Sequence, residues 1–364
     1  MNNLYSALQT SKDSSPGPDG IPYIVYNKYW DLMGPIILDS WKYSLLIGKL
    51  TPSHKESVIT LLPKEGKDMK DIKNWRPITL SNCDSKIITK ALTIKVSKVL
   101  DSIIDISQTA YVPGRSVADN LRSNFYLKNF CNKENIEAVL ISLDAKKAFD
   151  SVNHDYIEDT LVAYGFGEGF IRTFRTLYKD LTARILVNGF LSEAIRIERG
   201  VKQGDSLSCA IFIICIDPLL RNLNNSNKVK NIRYCKRTSD KNKITNFKAA
   251  AYADDISVIC SSDAGSIQEV FSQYDKLTNR SGLELNADKT EILRLNNSII
   301  KEYSFTYNSQ LVNIKSVKSI KICGLHYCGD VNQEYELNVL EKIKKLSNKI
   351  SKWIPKTKTV HKSP

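Results

Sequence analysis

Two adjacent carboxylates, Asp254 and Asp255, lie between the short apolar runs 249–252 and 256–260. Neighbouring acids repel unless a cation lies between them, and hard divalent cations favour oxygen ligands. On one straight strand such neighbours would diverge, because successive side chains point to opposite faces. At a tight turn the alternation breaks and both can converge. Both runs are rich in small or β-branched residues, which predicts two strands of a hairpin with the acids at or near the turn. A plain surface turn carries the same local signature, since Asp is a common turn residue. A third acid gives the pair its meaning. Residues 138–144 form the strongest strand pattern in the chain and end on Asp144. Three carboxylates brought together would hold two Mg²⁺ ions about 3.5–4 Å apart, the apparatus of in-line phosphoryl transfer. They would activate a hydroxyl and stabilise the pentavalent centre. The competing role for Asp144 is a helix N-cap. Asp150, just before Ser151-Val152-Asn153-His154, fits a cap better, and His154 reads as a structural loop histidine.

Other chemistry is spread along the chain. Residues 57–64 and 75–80 are strand patterns joined by a basic connection, a plausible finger over a phosphate. Lys64 and Arg76 suit triphosphate oxygens, Arg in bidentate fashion, though an ordinary basic hairpin would look the same. In Arg199-Gly200-Val201-Lys202-Gln203-Gly204-Asp205 the two glycines let the backbone approach a ligand. Lys289 suits a proton donor to a leaving group; an ordinary surface lysine is the competing reading.

These residues need elements to hold them. Helices are expected from Tyr23 to Met33, and over 36–46 with Ile36, Ile37, Trp41, Leu45 and Leu46 inward. Further helices are expected over 85–104, 117–130, 155–164, 169–178, 207–220 and 266–281, the last ended by Gly282. Residues 183–190 predict a hairpin strand with an Asn188-Gly189 turn, and 194–198 pair back. Residues 221–248 read as a polar, basic excursion. Residues 283–293 and 320–327 each read as one strand. Residues 334–353 read as a basic amphipathic helix with Leu337, Leu340, Ile343, Leu346, Ile350 and Trp353 on one face.

At 364 residues the chain is long enough for two or three lobes. The formal net charge of +13 favours a polyanionic partner, nucleic acid before membrane surface. The eight cysteines form no Cys-x-x-Cys pair, which argues for reduced thiols of an intracellular protein rather than zinc ligands or disulfides. There is no uninterrupted apolar stretch of about 18 residues to span a bilayer. Residues 1–20 carry no apolar signal core. Acids, basic finger and basic surface together point to a nucleotide polymerase.

At these residues the sequence resembles the reverse transcriptases of non-LTR (LINE-like) retrotransposons. The resemblance runs in order through Gly17-Pro18-Asp19-Gly20, Leu62-Pro63-Lys64, Trp75-Arg76-Pro77-Ile78 and Pro113-Gly114-Arg115-Ser116. It continues through Asp144-x4-Phe149-Asp150, Gly200-Val201-Lys202-Gln203-Gly204-Asp205, Tyr252-Ala253-Asp254-Asp255 and Gly282-Leu283-x2-Asn286-x2-Lys289-Thr290. It implies an α+β right-hand polymerase with fingers, a palm with an antiparallel sheet, and a partial thumb. The implied boundaries are 1–130 with 157–199 for the fingers, 131–156 and 200–329 for the palm, and 330–364 for the start of the thumb. Asp144, Asp254 and Asp255 match the metal-binding acids, with the Ala145 carbonyl as a further ligand of two Mg²⁺ ions, for which Mn²⁺ can substitute. Phe149 matches the aromatic gate that excludes a 2′-OH. Gln203 and Gly204 match the loop against the incoming nucleotide. Lys64 and Arg76 match triphosphate-binding side chains, and Lys289 the general acid for pyrophosphate. Cys323-Gly324-Leu325 stands where the primer grip falls, with Cys323 in place of the usual Leu.

The implied activity is RNA-directed DNA synthesis by target-primed copying, with an RNA template, a DNA primer or RNA–DNA duplex, and dNTPs as partners. No membrane is expected, the oligomeric state is left open, and the expected location is the nucleus, with the cytoplasm as an alternative. The family's upstream endonuclease and full thumb are missing from these residues, as in a fragment or a degraded copy. A maturase-like or domesticated RNA-binding protein is the first alternative. An RNA-dependent RNA polymerase is the second, disfavoured by the aromatic Phe149.

Overall fold

The computed structural model describes residues 1–232, 247–295 and 300–357. Its strands are β1 (Glu56–Pro63), β2 (Trp75–Leu80), β3 (Ala138–Leu143), β4 (Thr182–Val187), β5 (Phe190–Leu191) and β6 (Ile195–Arg196). They continue with β7 (Ala249–Tyr252), β8 (Asp255–Ser261), β9 (Glu291–Leu295), β10 (Glu302–Tyr307), β11 (Gln310–Lys315), β12 (Ser319–Ile322) and β13 (Leu325–Cys328). The chain divides into two compact units. One comprises 1–115, 145–221 and 276–284; the other comprises 116–144, 222–275 and 285–364. The boundaries expected for fingers, palm and thumb cut across this division. Residues 116–130, expected in the fingers, pack in the second unit, and 200–221, expected in the palm, pack in the first.

The first unit is built on the sheet β2-β1-β4-β5, with β6 also on β4. β1 runs antiparallel to β2 and parallel to β4. Asn188 and Gly189 both take positive φ, 50° and 84°, as a two-residue hairpin turn requires. The helix Ser206–Asn225 has Phe212, Ile213, Ile214 and Cys215 fully buried. It is long and apolar enough to cross a membrane by length and composition, but 72% of its apolar window is buried within the protein. Its Asp217 is buried and saturated, accepting from the Asp105 N–H (2.7 Å), Tyr164 Oη (2.5 Å) and Arg221 Nε (2.5 Å).

The N-terminal helices differ from expectation. The break falls at Tyr29, between Tyr23–Lys28 and Trp30–Ile47, and Pro35 lies inside the second helix. Its buried face is Gly34, Ile37, Trp41 and Ser44, while Ile36 and Leu46 are exposed. Ile37 and Trp41 are buried as expected and Leu45 is half-buried, while Ile36 and Leu46 each sit one residue, about 100°, off that face.

The second unit carries the antiparallel sheet β7-β8-β3-β9. Its core joins Leu127 and Cys131 of the helix Val117–Lys133 to Leu140, Ile259, Leu293, Ile320 and Tyr327. The β10–β11 hairpin was not anticipated. It turns at Asn308-Ser309, both at positive φ, and buries Tyr303, Phe305 and Tyr307 in alternation. Residues 320–327 are the hairpin β12–β13 rather than one strand, because Cys323 (φ 46°) and Gly324 (φ 83°) reverse the chain. A Cys where Asn or Asp is usual hid that turn. The strand expected over 283–293 forms only from Glu291, running on to Leu295; 287–289 are a turn. The basic excursion of 221–248 lies partly outside the described residues.

The C-terminal helix runs from Val331–Tyr335 through a π-helical turn, Glu336–Leu340, into Glu341–Thr357. Leu340, Ile343, Leu346 and Ile350 are about half exposed, and Trp353 lies outside the residues whose side chains are described. The start of this helix is anchored by Glu334, which takes the Lys128 ammonium and the Cys328 N–H (2.8 Å). Lys128 is 1% and Glu334 13% exposed. Removing one partner of a buried ion pair strands the other. Lys128→Met is therefore expected to cost about 3 kcal/mol in a denaturant titration, much of it recovered by adding Glu334→Leu. Equal midpoints for Lys128→Met and wild type would show that the pair contributes nothing.

Candidate active site

Asp255 opens β8 and pairs with Tyr252 across a two-residue turn of Ala253 and Asp254. Ala253 takes a left-handed φ of 56°, which costs an L-residue roughly 1–2 kcal/mol and brings the two acids out of strand alternation. β3 and β8 are in register as far as Leu143↔Ile256, so one more step sets Asp144 beside Asp255. No helix starts at Asp144, which removes the cap reading; the next helical turn is Ala148–Ser151. The helix Val117–Lys133 braces the hairpin from behind. Asn120 Nδ2 donates to the Ala251 carbonyl (2.8 Å) and Asn124 Nδ2 to Ser257 Oγ (3.1 Å). The turn before β9 holds Asp144 by its backbone, with Asn286 N–H donating to the Asp144 carbonyl (2.7 Å).

Loss of water pushes the Asp254 and Asp255 carboxyls above their ordinary range. Repulsion from Asp144 adds to both, and Asp255 also acts on Asp254. A cation and a hydrogen-bond donor already stand near. Lys289 Nζ is 3.9 Å from Asp144 Oδ2, and Cys323 Sγ is 3.7 Å from Asp255 Oδ2. Burial and Asp255 push the Cys323 thiol up to about 12, so it stays protonated at neutral pH and donates. A divalent cation relieves this mutual repulsion, so the donor set fits a hard metal ion. Among the described residues, no three acidic, histidine or cysteine side chains stand close enough together to hold a metal ion between them.

The first unit holds the remaining candidates. Ala145 follows Asp144 directly in the chain. The Phe149 ring stacks on Phe212, centroids 4.4 Å apart and planes 17° off parallel. The loop 200–204 is stitched to this segment. Gly200 N–H donates to the Val152 carbonyl (2.8 Å), Val201 N–H to the Phe149 carbonyl (2.7 Å), and His154 Nε2 contacts the Gly200 carbonyl (2.9 Å). His154 is thus structural as expected, although it opens the helix His154–Ala163 rather than lying in a loop. Gly204 carries φ 111° and lies against the Thr79 carbonyl. Gly200 carries φ 79°, and a Cβ there would fall 2.6 Å from the Asp150 backbone. Gly200→Ala is expected to lose about 3 kcal/mol of stability by chemical denaturation, combining a forbidden φ with a backbone clash. Wild-type stability in that variant would mean the loop does not need this close approach.

Arg76 is exposed on β2 opposite Leu62, and Lys64 lies one residue beyond β1. Lys64 Nζ turns back to donate to the Lys73 carbonyl (2.7 Å), closing its own hairpin loop. Asp150 does not cap a helix; the helix His154–Ala163 starts from Asn153. Its carboxylate instead receives Gln203 Nε2 on both oxygens, at 2.9 and 3.0 Å. Sequence reading missed that contact and the Phe212 stack. The one available signal was the position of Asp150 next to Phe149 in the same motif.

The fold is that of a right-hand polymerase. A telomerase from Candida tropicalis, solved without its C-terminal domain, superposes with a TM-score of 0.50 at 14% identity, covering 85% of this chain and 59% of that one. The profile of the reverse transcriptase (RNA-dependent DNA polymerase) family matches residues 62–327, and the chain belongs to that family, in its non-LTR retrotransposon branch. A 149 kDa protein of transposon TX1 from Xenopus laevis is 35% identical over 225 residues, 60% of this chain and 17% of that protein. The Pol polyprotein of the R2DM retrotransposable element of Drosophila melanogaster is 29% identical over 330 residues, 88% of this chain and 29% of its own length. The chain thus spans less than a third of either relative.

Proposed function

We propose that this chain extends a DNA primer 3′-OH with dNTPs copied from an RNA template, in the service of retrotransposition. The observation that carries the reading is the convergence of Asp144 with Asp254 and Asp255 at one end of β3, β7 and β8. Asp144, Asp254, Asp255 and the Ala145 carbonyl would hold two Mg²⁺ ions, with Mn²⁺ as a substitute. When bound, these supply activation of the attacking hydroxyl and stabilisation of charge on the leaving pyrophosphate. Lys289 Nζ, 3.9 Å from Asp144, would serve as the donor to the departing pyrophosphate. Phe149, held flat by Phe212, presents a rigid ring under the sugar. Arg76 offers a planar fork for phosphate oxygens; Lys64 serves as a second cation once it leaves the Lys73 carbonyl. A nuclear location follows from the same reading.

The test is primer extension on an RNA template with Mg²⁺, using the full chain, alongside template–primer affinity across a salt series. Deoxynucleotide incorporation is expected. Affinity should fall steeply with salt, each neutralised duplex phosphate adding roughly −0.9 to the slope of log K against log salt. No product from a folded protein that still binds RNA would favour a non-catalytic RNA-binding role. A flat salt profile would argue against a basic nucleic-acid surface.

A further inference from the structure

We infer that Asp150 is a positioning residue for the nucleotide pocket, acting through the Gln203 side chain; this rests on the polymerase reading above. Gln203 is held at both ends. Its carbonyl accepts the Thr79 N–H of β2 (3.1 Å), and its side-chain Nε2 faces both oxygens of the Asp150 carboxylate. Asp150 is itself fixed by the turn Ala148–Ser151, where its N–H donates to the Lys147 carbonyl (2.8 Å). Phe149, one residue before it, accepts from Val201 N–H (2.7 Å). The segment 149–150 therefore grips the loop 201–203 by one backbone and one side-chain bond. Gln203 in turn ties that segment to the strand carrying Arg76.

The chemistry of the clamp sets what the pocket sees. An amide carries two donor hydrogens and one acceptor oxygen. With Nε2 committed to a carboxylate, a charge-assisted bond stronger than a neutral one, the amide cannot flip without breaking it. Oε1 is then the end left to meet a substrate donor. Asp150 is exposed, and an unpartnered surface acid would leave both oxygens to water. Here both face one amide nitrogen, 53 residues away in sequence. Losing the clamp frees Gln203 to rotate while leaving the acids at Asp144, Asp254 and Asp255 in place. The expected signature is in nucleotide binding rather than in turnover.

The experiment compares Asp150→Ala and Asp150→Asn with wild type in two measurements. In ¹⁵N-labelled full-length chain, the Gln203 side-chain amide resonance is assigned by its loss in Gln203→Ala. Asp150→Ala should move it toward the free-glutamine position, and Asp150→Asn, which keeps an acceptor oxygen, should move it less. In primer extension, Asp150→Ala should raise KM for dNTP roughly 5- to 20-fold with kcat within about threefold, and Asp150→Asn should recover most of it. An unmoved resonance in Asp150→Ala overturns the clamp. A moved resonance with unchanged KM, in a chain that polymerises, overturns the positioning role. A moved resonance in Asp150→Ala, together with a wild-type chain that extends no primer, overturns the polymerase reading instead. The positioning role falls with it, leaving a structural hydrogen bond.

Discussion

Asp254→Ala is expected to lower dNTP incorporation by at least about 10³-fold, on the order of 4 kcal/mol of transition-state stabilisation. The loss should fall on kcat in single-turnover primer extension, and primer–template affinity should hold. The same substitution should leave the fold as stable as before or slightly more so. Asp254 sits in a two-residue turn, where its carboxyl is pushed up by lost hydration and by two like charges. A raised carboxyl pKa means that the metal-free folded state holds its proton more tightly than the unfolded chain. Ionisation then costs stability, and that cost grows as pH rises through the carboxylate range. Removing the acid removes the cost, a trade of stability for activity at the site. Residual incorporation within tenfold of wild type would sink the assignment of Asp254 to the reacting centre.

Phe149→Ala is expected to cut discrimination against ribonucleotides by about a hundredfold, the range available to a pocket that rejects one hydroxyl by shape. The ring stands in one orientation because Phe212, fully buried, stacks against it at 4.4 Å. A wall held this way would reject a 2′-OH at any nucleotide concentration, so the change should appear in the ratio of kcat/KM for dCTP and CTP. Phe149→Val, which keeps some bulk, should fall between. An unchanged ratio in both variants would take the gate role away from Phe149 and leave it as packing for the long helix.

Local patterns were legible where the physics is local. β1, β2, β3, β7, β8 and the Asn188-Gly189 hairpin follow from apolar runs bounded by turn residues, and each forms where expected. Two hairpins escaped because their turns use Asn308-Ser309 and Cys323-Gly324 rather than an Asn-Gly or Asp-Gly signature. In the helix Trp30–Ile47 the buried Ile37 and Trp41 were legible but the exposure of Ile36 was not, because a run such as Ile36-Ile37 offers two faces and only packing chooses between them.

Composition and motif alone determined that this chain carries a basic surface, the acids Asp144, Asp254 and Asp255, and the ordered blocks of a reverse transcriptase. Residue identity suffices there, because charge and ligand chemistry belong to the side chain. Which groups meet was decided by the tertiary structure. The register of β3 on β8 sets Asp144 beside Asp255, across more than a hundred residues. The β12–β13 turn brings Cys323 to Asp255, and a stitched loop gives Asp150 to Gln203 instead of to a helix end. Contacts of that separation depend on strand register and turn geometry summed over the whole fold, which no local window contains.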